Sequence, residues 1–327
     1  MNIHLPYKQT FSENNCFLCG KNILEEYSVE HIFPKWLQKD FLLWDQTIML
    51  LNGSSIPYRN LTVPCCQDCN SKYLSKVEHI IQQGVREGFG KFITIDESII
   101  FQWVGKIFYS LLYKELTLLH DRSNPAQGTI NNEKYMENFS GLHGLLQSAR
   151  FPTKFNFNYP WSIFVFNVEH FGEERVFDYG DDTDRGSIKI RMGNIGIVAC
   201  LIDFGSVKNA TKEWFSCLRG KRIHPFQFEE IAAIVFYLNI LFDRNPKFVN
   251  IVDTSDEDPQ LSVIPLPLGG YSTKPIFRKW NTDDYAITYA DFLRKFGFSY
   301  DDLVKSDYIC SFTFSPDGSY IPMKENF

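Results

Sequence analysis

Four cysteines in two CxxC pairs are the side chains of this sequence best suited to bind a metal. One pair is Cys16 and Cys19, and the other is Cys66 and Cys69. Two such pairs supply a closed tetrahedral shell of thiolates, the usual form of a structural zinc site. Cys65 offers a competing register, but Cys65 with Cys69 would be a CxxxC pair, which is a less usual ligand spacing. We therefore predict a structural Zn²⁺ ion held by Cys16, Cys19, Cys66 and Cys69.

Glu30 and His31 lie between the two cysteine pairs, in a segment of alternating polarity over residues 26–33. Adjacent side chains of a strand point to opposite faces, so both can serve one phosphate only where the strand bends, and Pro34 fits such a bend. A neutral imidazole can activate water near pH 7, whereas a carboxylate and an amide oxygen suit Mg²⁺. An isolated pair would indicate surface residues of a hairpin, but the flanking cysteines favour catalysis. The pattern predicts phosphodiester hydrolysis, with His31 as general base and with Glu30 and Asn70 as ligands of the divalent ion.

The order of these motifs resembles that of the HNH endonuclease family, whose ββα-metal finger is often held by such a zinc site. The shared order, within residues 1–90, is CxxC, an acidic residue before histidine with a following proline, Asn-Leu, and CxxC-Asn. The resemblance implies that His31 is the general base and that Glu30 and Asn70 bind catalytic Mg²⁺ or Mn²⁺. It also implies that Asn60 holds the loop that carries the base, with Asn52 as an alternative. Asn70 stands in place of histidine, and Glu30 stands where Asp or His is commoner, but both keep a metal-binding oxygen.

The charge pattern bears on nucleic-acid binding. A net charge of −6 is unfavourable for non-specific binding, because that affinity normally comes from an excess of Lys and Arg. A locally basic groove is nevertheless compatible with the residues near the predicted site. Those that we expect to contact backbone phosphates, without reading sequence, are Lys35, Arg59, Lys72 and Lys76. Each also fits a solvated surface, and Glu78 could brace the module or pair with one of the lysines.

Periodicity predicts an α+β fold with two domains. Residues 1–95 form a zinc-stabilised ββα-metal (HNH) module, whose last helix covers about residues 68–83 because apolar residues recur at helical spacing after Asn70. Residues 96–327 form an accessory α+β domain with an antiparallel sheet and packed helices. Its predicted elements are helices over 99–119, 225–239 and 283–296, and strands over 161–168, 187–191 and 195–203.

The other polar residues predict no second site. The acidic residues at 178–184 are interpreted as a solvated turn, because they lack the ordered spacing of a calcium loop. No phosphate-binding glycine loop occurs, so nucleotide hydrolysis is not predicted. The thiols interpreted as core or inert are Cys200, Cys217 and Cys310. The histidines interpreted as structural, because none has paired ligand spacing, are His79, His120, His143, His170 and His224.

The location of the protein is predicted from its apolar segments. The longest apolar run, residues 231–242, is too short to span a bilayer, and the first residues lack the basic and apolar blocks of a secretory signal. We therefore expect a cytoplasmic protein with reduced thiols and no membrane partner.

The leading hypothesis is a metal-dependent endonuclease that hydrolyses double-stranded DNA, with a second domain that recognises, regulates or oligomerises. Bacterial and phage-borne nucleases with this division include effectors of antiviral defence, an analogy that rests on architecture alone. One active site cuts one strand, so a homodimer or a regulatory partner protein is compatible with the sequence. The alternatives are a non-catalytic zinc finger that binds nucleic acid or protein, and an unrelated activity in the C-terminal region, for which no constellation is found.

Overall fold

The computed structural model describes residues 14–24, 27–130, 139–155, 159–172, 176–244, 246–253, 259–266, 274–306 and 308–323. It contains antiparallel and mixed sheets with packed helices, so the predicted α+β class is confirmed. The start of the predicted segment 26–33 lies outside the described residues. Among the residues described, no helix combines the length and the apolar character needed to cross a membrane.

The chain forms two compact units. The first unit comprises Met1–Glu87, Thr94–Phe157 and Lys247–Leu266, and the second comprises Gly88–Ile93, Asn158–Pro246 and Pro267–Phe327. The first unit therefore continues well past the domain boundary predicted at residue 95. That residues 1–95 act as a functional module of their own stays a prediction.

The regular elements are numbered in chain order. The strands are β1 (Tyr27–His31), β2 (Thr47–Met49), β3 (Ser55–Pro57), β4 (Thr62–Cys66), β5 (Thr153–Phe155), β6 (Ser162–Val168), β7 (Phe177–Asp182), β8 (Ser187–Met192), β9 (Ile195–Cys200), β10 (Arg222–Ile223), β11 (Phe248–Asp253) and β12 (Gln260–Pro265). The helices are α1 (Lys35–Asp40), α2 (Ser75–Glu87), α3 (Phe89–Phe92), α4 (Glu97–Leu116), α5 (Ser140–Leu146), α6 (Ser206–Thr211), α7 (Pro225–Leu241), α8 (Thr282–Leu293) and α9 (Tyr300–Leu303). A π-helical segment, Asp68–Leu74, leads directly into α2.

An antiparallel strand pair and the helix after it organise the first unit. β1 pairs with β4, and the residues between them form α1 and the antiparallel β2–β3 pair. The helix predicted over residues 68–83 is confirmed, since the π-helical segment and α2 together cover that range. Its inward-facing side chains are buried as the helical spacing predicts, namely Leu74, Val77 and Ile81. β1 carries Glu30 and His31, and the helical segment after β4 carries Asn70.

Helix α4 supplies the apolar support for this unit. Asp96 caps its N-terminus, because the side chain accepts a hydrogen bond of 2.8 Å from the Ser98 amide. The helix predicted over 99–119 is confirmed, with its end three residues earlier, at Leu116. Its fully buried side chains include Phe101, Trp103, Val104, Ile107 and Leu112. α4 thus packs as an interior helix of the first unit.

The second unit contains a five-stranded sheet in the order β10-β6-β9-β8-β7. The four long strands pair antiparallel, as predicted, whereas the short β10 pairs parallel with β6. Helix α7 packs against this sheet, and His224 caps its N-terminus by accepting a hydrogen bond at Nδ1 from the Phe226 amide. His224 is therefore structural, as predicted. The predicted helix over 283–296 corresponds to α8, which ends at Leu293 and continues as a 3₁₀ turn, Arg294–Phe296.

The interpretation of residues 178–184 as a solvated turn is wrong for the first part of that run. Asp178 lies in β7 and accepts hydrogen bonds of 2.6 Å from both Lys189 and Lys295. Both ammonium groups also contact Glu229, at 2.5 and 2.8 Å. Although burial opposes it, the two lysines lower the pKa of Asp178 to about 2. Asp178 is therefore part of a partly buried network in which two carboxylates pair with two ammonium groups.

Candidate functional site

Cys16, Cys19, Cys66 and Cys69 converge in the first unit. Their sulfur atoms all lie within 4.8 Å of one another, and those of Cys19 and Cys66 are 3.7 Å apart. Four sulfurs at tetrahedral angles and about 2.3 Å from a zinc ion are separated by about 3.8 Å. All four side chains are buried, and all eight cysteines of the chain are free of disulfides. The cluster can hold a structural metal ion, and zinc as its occupant stays a prediction.

The local backbone explains why these thiols meet. Gly20 has a φ of 72°, which lets the chain reverse after Cys19, and its amide donates to the Cys16 carbonyl at 2.8 Å. Cys66 ends β4, and Cys69 lies in the first turn of the π-helical segment. Interactions among the four thiols lower the pKa of Cys66 and raise those of Cys19 and Cys69, as expected where one thiolate accepts from protonated neighbours. Cys65 does not belong to the converging group.

Residues that follow the predicted module in the chain support the turn between Cys16 and Cys19, which we call the first knuckle. The Leu18 carbonyl accepts a hydrogen bond of 2.8 Å from Nε2 of His143 and one of 2.9 Å from Gln147. The His143 ring also stacks on Tyr109, with 4.9 Å between the ring centroids. His143 is therefore structural, as predicted, and the metal cluster depends on chain segments after residue 95.

His31 is the last residue of β1, and its side chain is half-buried. The backbone of Arg59 lies close enough to the imidazole to favour its protonated form. Burial lowers the pKa of His31, and the positive charges of Lys35 and Lys106 lower it further, while the carboxylate of Glu78 opposes them. A lowered pKa keeps the imidazole neutral near pH 7, which is the form that a general base requires.

Glu30 is 5% exposed and forms an ion pair of 2.5 Å with the ammonium group of Lys106. Lys106 extends from α4 and also lies 2.9 Å from Glu78, on α2. The same ammonium group donates to the backbone carbonyls of His31, at 2.9 Å, and Ile32, at 3.3 Å. Burial and the adjacent Glu30 raise the pKa of Glu78 to about 7, although Lys106 opposes the shift. Glu30 thus has an internal cation as its partner, and its role as a ligand of a divalent ion stays a prediction.

Asn70 faces the strand that carries His31. Its Nδ2 donates a hydrogen bond of 3.0 Å to the Val29 carbonyl and lies 3.4 Å from the hydroxyl of Ser28. Asn70 stands at helical spacing before Leu74, a position that predicts a side chain facing inward towards the strand of His31, and these contacts confirm that orientation. Because the amide nitrogen is directed to the strand, the amide oxygen is the atom that Asn70 offers to a metal ion.

The two candidate loop asparagines lie in different places. Asn60 ends the 3₁₀ turn Tyr58–Asn60 and directly follows Arg59, whose backbone acts on the pKa of His31. Asn52 lies in the turn of the β2–β3 pair, where its Oδ1 accepts from the Ser54 amide at 3.1 Å. Closeness to Arg59 favours Asn60, and Asn52 has the geometry of an ordinary turn residue.

Three of the four residues predicted to contact phosphates are exposed lysines. Lys35 is the first residue of α1, while Lys72 and Lys76 lie on the π-helical segment and on α2. Arg59 differs, because its guanidinium pairs with Asp45 and donates to the Trp44 carbonyl at 3.1 Å. The three lysines therefore offer ammonium groups at the surface, whereas Arg59 braces a loop.

Lys106 is the residue of this site that the sequence-based reasoning does not identify. The sequence allows Glu78 to pair with one of the surface lysines, whereas in the structure its partner is the buried Lys106. The signal for Lys106 is its position as a lone cation in the apolar stretch of α4, between Trp103 and Ile107. A lysine inside a buried helix requires a buried anion, because an unpaired charge in the interior is costly.

Comparisons with known proteins identify no relative of this chain. No protein-family model, no curated protein and no solved structure matches the chain. The resemblance to the HNH family therefore rests on the motif residues themselves.

Proposed function

We propose that this protein is a metal-dependent endonuclease of the HNH type that hydrolyses DNA. The observation that carries the proposal is the position of His31. The half-buried imidazole ends β1, which pairs with the cysteine-bearing strand β4, and its pKa is lowered. A neutral imidazole keeps one ring nitrogen unprotonated, and that nitrogen can accept a proton from water.

The roles of the other residues follow from the ligand atoms that their side chains carry. Asn70 and Glu30 carry the oxygen ligands for Mg²⁺ or Mn²⁺, and that ion would neutralise the charge of the phosphate and of the leaving oxygen. Asn60, next to Arg59, belongs to the turn that we assign to holding the loop of the base. The cysteine cluster holds a structural Zn²⁺ ion, which brings β1, β4 and the first knuckle together.

The direct test uses purified full-length protein, supercoiled plasmid and a chelator-free buffer. We expect nicked or linear product with added Mg²⁺ or Mn²⁺ and none without either ion. Chromatography must show that cleavage co-elutes with the protein, which excludes a contaminating nuclease. Absence of cleavage from double-stranded DNA, single-stranded DNA and RNA with both ions would contradict the proposal.

Lys72 provides a prediction about DNA binding. We expect Lys72→Ala to weaken binding to all DNA sequences alike, because an exposed ammonium contacts the phosphates and not the bases. The slope of log K against log salt should fall by about one, since one fewer counterion is released. Fluorescence anisotropy with catalytically silent Ca²⁺ at several salt concentrations measures both effects.

Lys114→Ala, a change of another lysine at a half-buried position on α4, is the control for Lys72 and should leave the slope unchanged. A shift in the preferred cleavage sequence of Lys72→Ala would instead identify Lys72 as a base-reading residue.

The second candidate function is a non-catalytic zinc-binding module that docks on nucleic acid or protein. The observation that favours it is the ion pair between Glu30 and Lys106, because the carboxylate already has a cation partner. The same plasmid assay separates the two functions, since DNA binding without cleavage in either ion supports the docking module. A recognition, regulatory or oligomerisation role for the C-terminal region, a cytoplasmic location and a place in antiviral defence are parts of the first proposal.

A further inference from the structure

Lys106 and Glu78 form a group of charges with Glu30, and the proposed cleavage mechanism gives neither Lys106 nor Glu78 a role. The side chain is 2% exposed, and its ammonium group is 2.5 Å from Glu30 and 2.9 Å from Glu78. The two carboxylates come from β1 and α2, and the lysine comes from α4, so three elements of the first unit meet at this group. Such a buried cation between two carboxylates takes the place that a metal ion takes in an oxygen-ligand site.

The ammonium group has three protons and four oxygen partners, two in ion pairs and two in hydrogen bonds. Besides the two carboxylates, the carbonyls of His31 and Ile32 accept from it, at 2.9 and 3.3 Å. If the carboxylates turn to another cation, the ammonium group keeps two carbonyl partners at the end of β1. Lys106 can therefore release Glu30 and Glu78 without becoming an unsolvated charge with no acceptor.

We infer that Lys106 is a resident cation of the candidate site, and that Glu78 together with Glu30 binds a divalent ion in exchange for it. The inference deepens the proposed function, on which it rests for the use of that ion. It adds Glu78 as a second carboxylate ligand and assigns Lys106 as a positioning residue that competes with the ion. Oxygen ligands select Mg²⁺ or Mn²⁺, whereas the nearby thiolates select softer metals, so the two metal sites are distinguishable.

The charge balance sets the direction of the expected effect. With all three groups ionised, Glu30, Glu78 and Lys106 sum to −1, and substitution of the lysine by methionine changes the sum to −2. A divalent ion is then the cation available to compensate the two carboxylates, and it no longer competes with an ammonium group. Lys106→Met should therefore bind a divalent ion more tightly than the wild-type protein does.

The test is a titration of zinc-loaded, full-length protein with Mn²⁺, followed by the electron paramagnetic resonance signal of the free ion. We expect Lys106→Met to bind Mn²⁺ about tenfold more tightly or better, which corresponds to one favourable charge interaction. Lys106→Arg keeps the positive charge and should retain the wild-type affinity or a weaker one. Lys114→Met, the same substitution on the same helix, should leave the affinity unchanged. Equal or weaker Mn²⁺ binding by Lys106→Met would overturn the inference.

A second variant covers the case in which Lys106→Met does not fold. Glu78→Gln keeps the Glu30–Lys106 ion pair and removes one of the two carboxylates, so Mn²⁺ binding should weaken by roughly tenfold. Unchanged affinity in Glu78→Gln would equally overturn the inference. Zinc content, measured by plasma emission spectrometry, should stay the same in both variants, because neither residue touches the thiolates.

The Mn²⁺ titration tests the exchange of cations, and the plasmid assay tests the nuclease proposal independently. If the affinities change as expected while the wild-type protein cleaves no nucleic acid, the exchange of cations stands and the nuclease proposal fails. If the wild-type protein cleaves DNA while the affinities of Lys106→Met and Glu78→Gln equal that of the wild type, the nuclease proposal stands and the resident cation does not.

Discussion

Replacing His31 by alanine is expected to lower the rate of DNA cleavage by about 100- to 10,000-fold, the contribution typical of a general base. The expected cause is loss of the proton acceptor for the attacking water, since the imidazole is half-buried at the end of β1 and its lowered pKa keeps it neutral near pH 7. The measurement is the single-turnover rate of plasmid nicking at saturating Mg²⁺. Single-turnover conditions separate the chemical step from DNA binding and product release.

His79 offers a matched control for this substitution. It is an exposed histidine on α2, and His79→Ala should cleave at nearly the wild-type rate. Zinc content and DNA affinity of His31→Ala should equal those of the wild type, because neither the thiolates nor the surface lysines change. Cleavage by His31→Ala at the wild-type rate, free of a contaminating nuclease, would remove His31 as the base.

Replacing Cys66 by serine is expected to abolish stoichiometric zinc binding and to unfold the first unit in part. Cys66 is buried among the other three thiols, so its loss opens the ligand shell. Structural zinc contributes about 10–16 kcal/mol in zinc-finger peptides, which exceeds the whole stability of many domains. Metal analysis, near-ultraviolet circular dichroism and limited proteolysis of residues 14–87 should all report the change together.

Cys65→Ser decides between the two ligand registers. Cys65 is as buried as Cys66 and precedes it on β4, so the two substitutions are close to matched in burial and backbone position. We expect Cys65→Ser to keep one zinc ion per chain, with a modest loss of stability from the buried hydroxyl. Loss of zinc in Cys65→Ser with retention in Cys66→Ser would show that the metal uses the CxxxC pair instead.

The local elements of this protein were largely predictable from periodicity. The helix after Cys69, the interior helix α4 and the three long strands β6, β8 and β9 all form where apolar spacing places them. Helix and strand periods are properties of neighbouring residues, so they can be read without knowledge of the tertiary contacts. The prediction fails at Asp178, because acidic residues suggest a solvated turn unless the lysines that pair with them are known.

The candidate site also has a part that the sequence predicts and a part that depends on tertiary contacts. Two CxxC pairs and the residues between them indicate which side chains can bind metal or accept a proton, because ligand chemistry depends on residue type and short spacing. Asn70 faces β1, as its helical position predicts. The pairing of Glu30 and Glu78 with Lys106 was beyond prediction, since 76 residues separate Glu30 from Lys106 and 28 separate Glu78 from it along the chain.

The sequence alone determined the α+β class, the positions of the main helices and strands, and the four cysteines that converge. These depend on local periodicity and on the reach of a short CxxC turn. Only the tertiary structure decided the state of charge around His31 and the partner of Glu30. The interaction between charged groups depends on their distance and burial, and both are set by the packing of α4 and α2 beside β1.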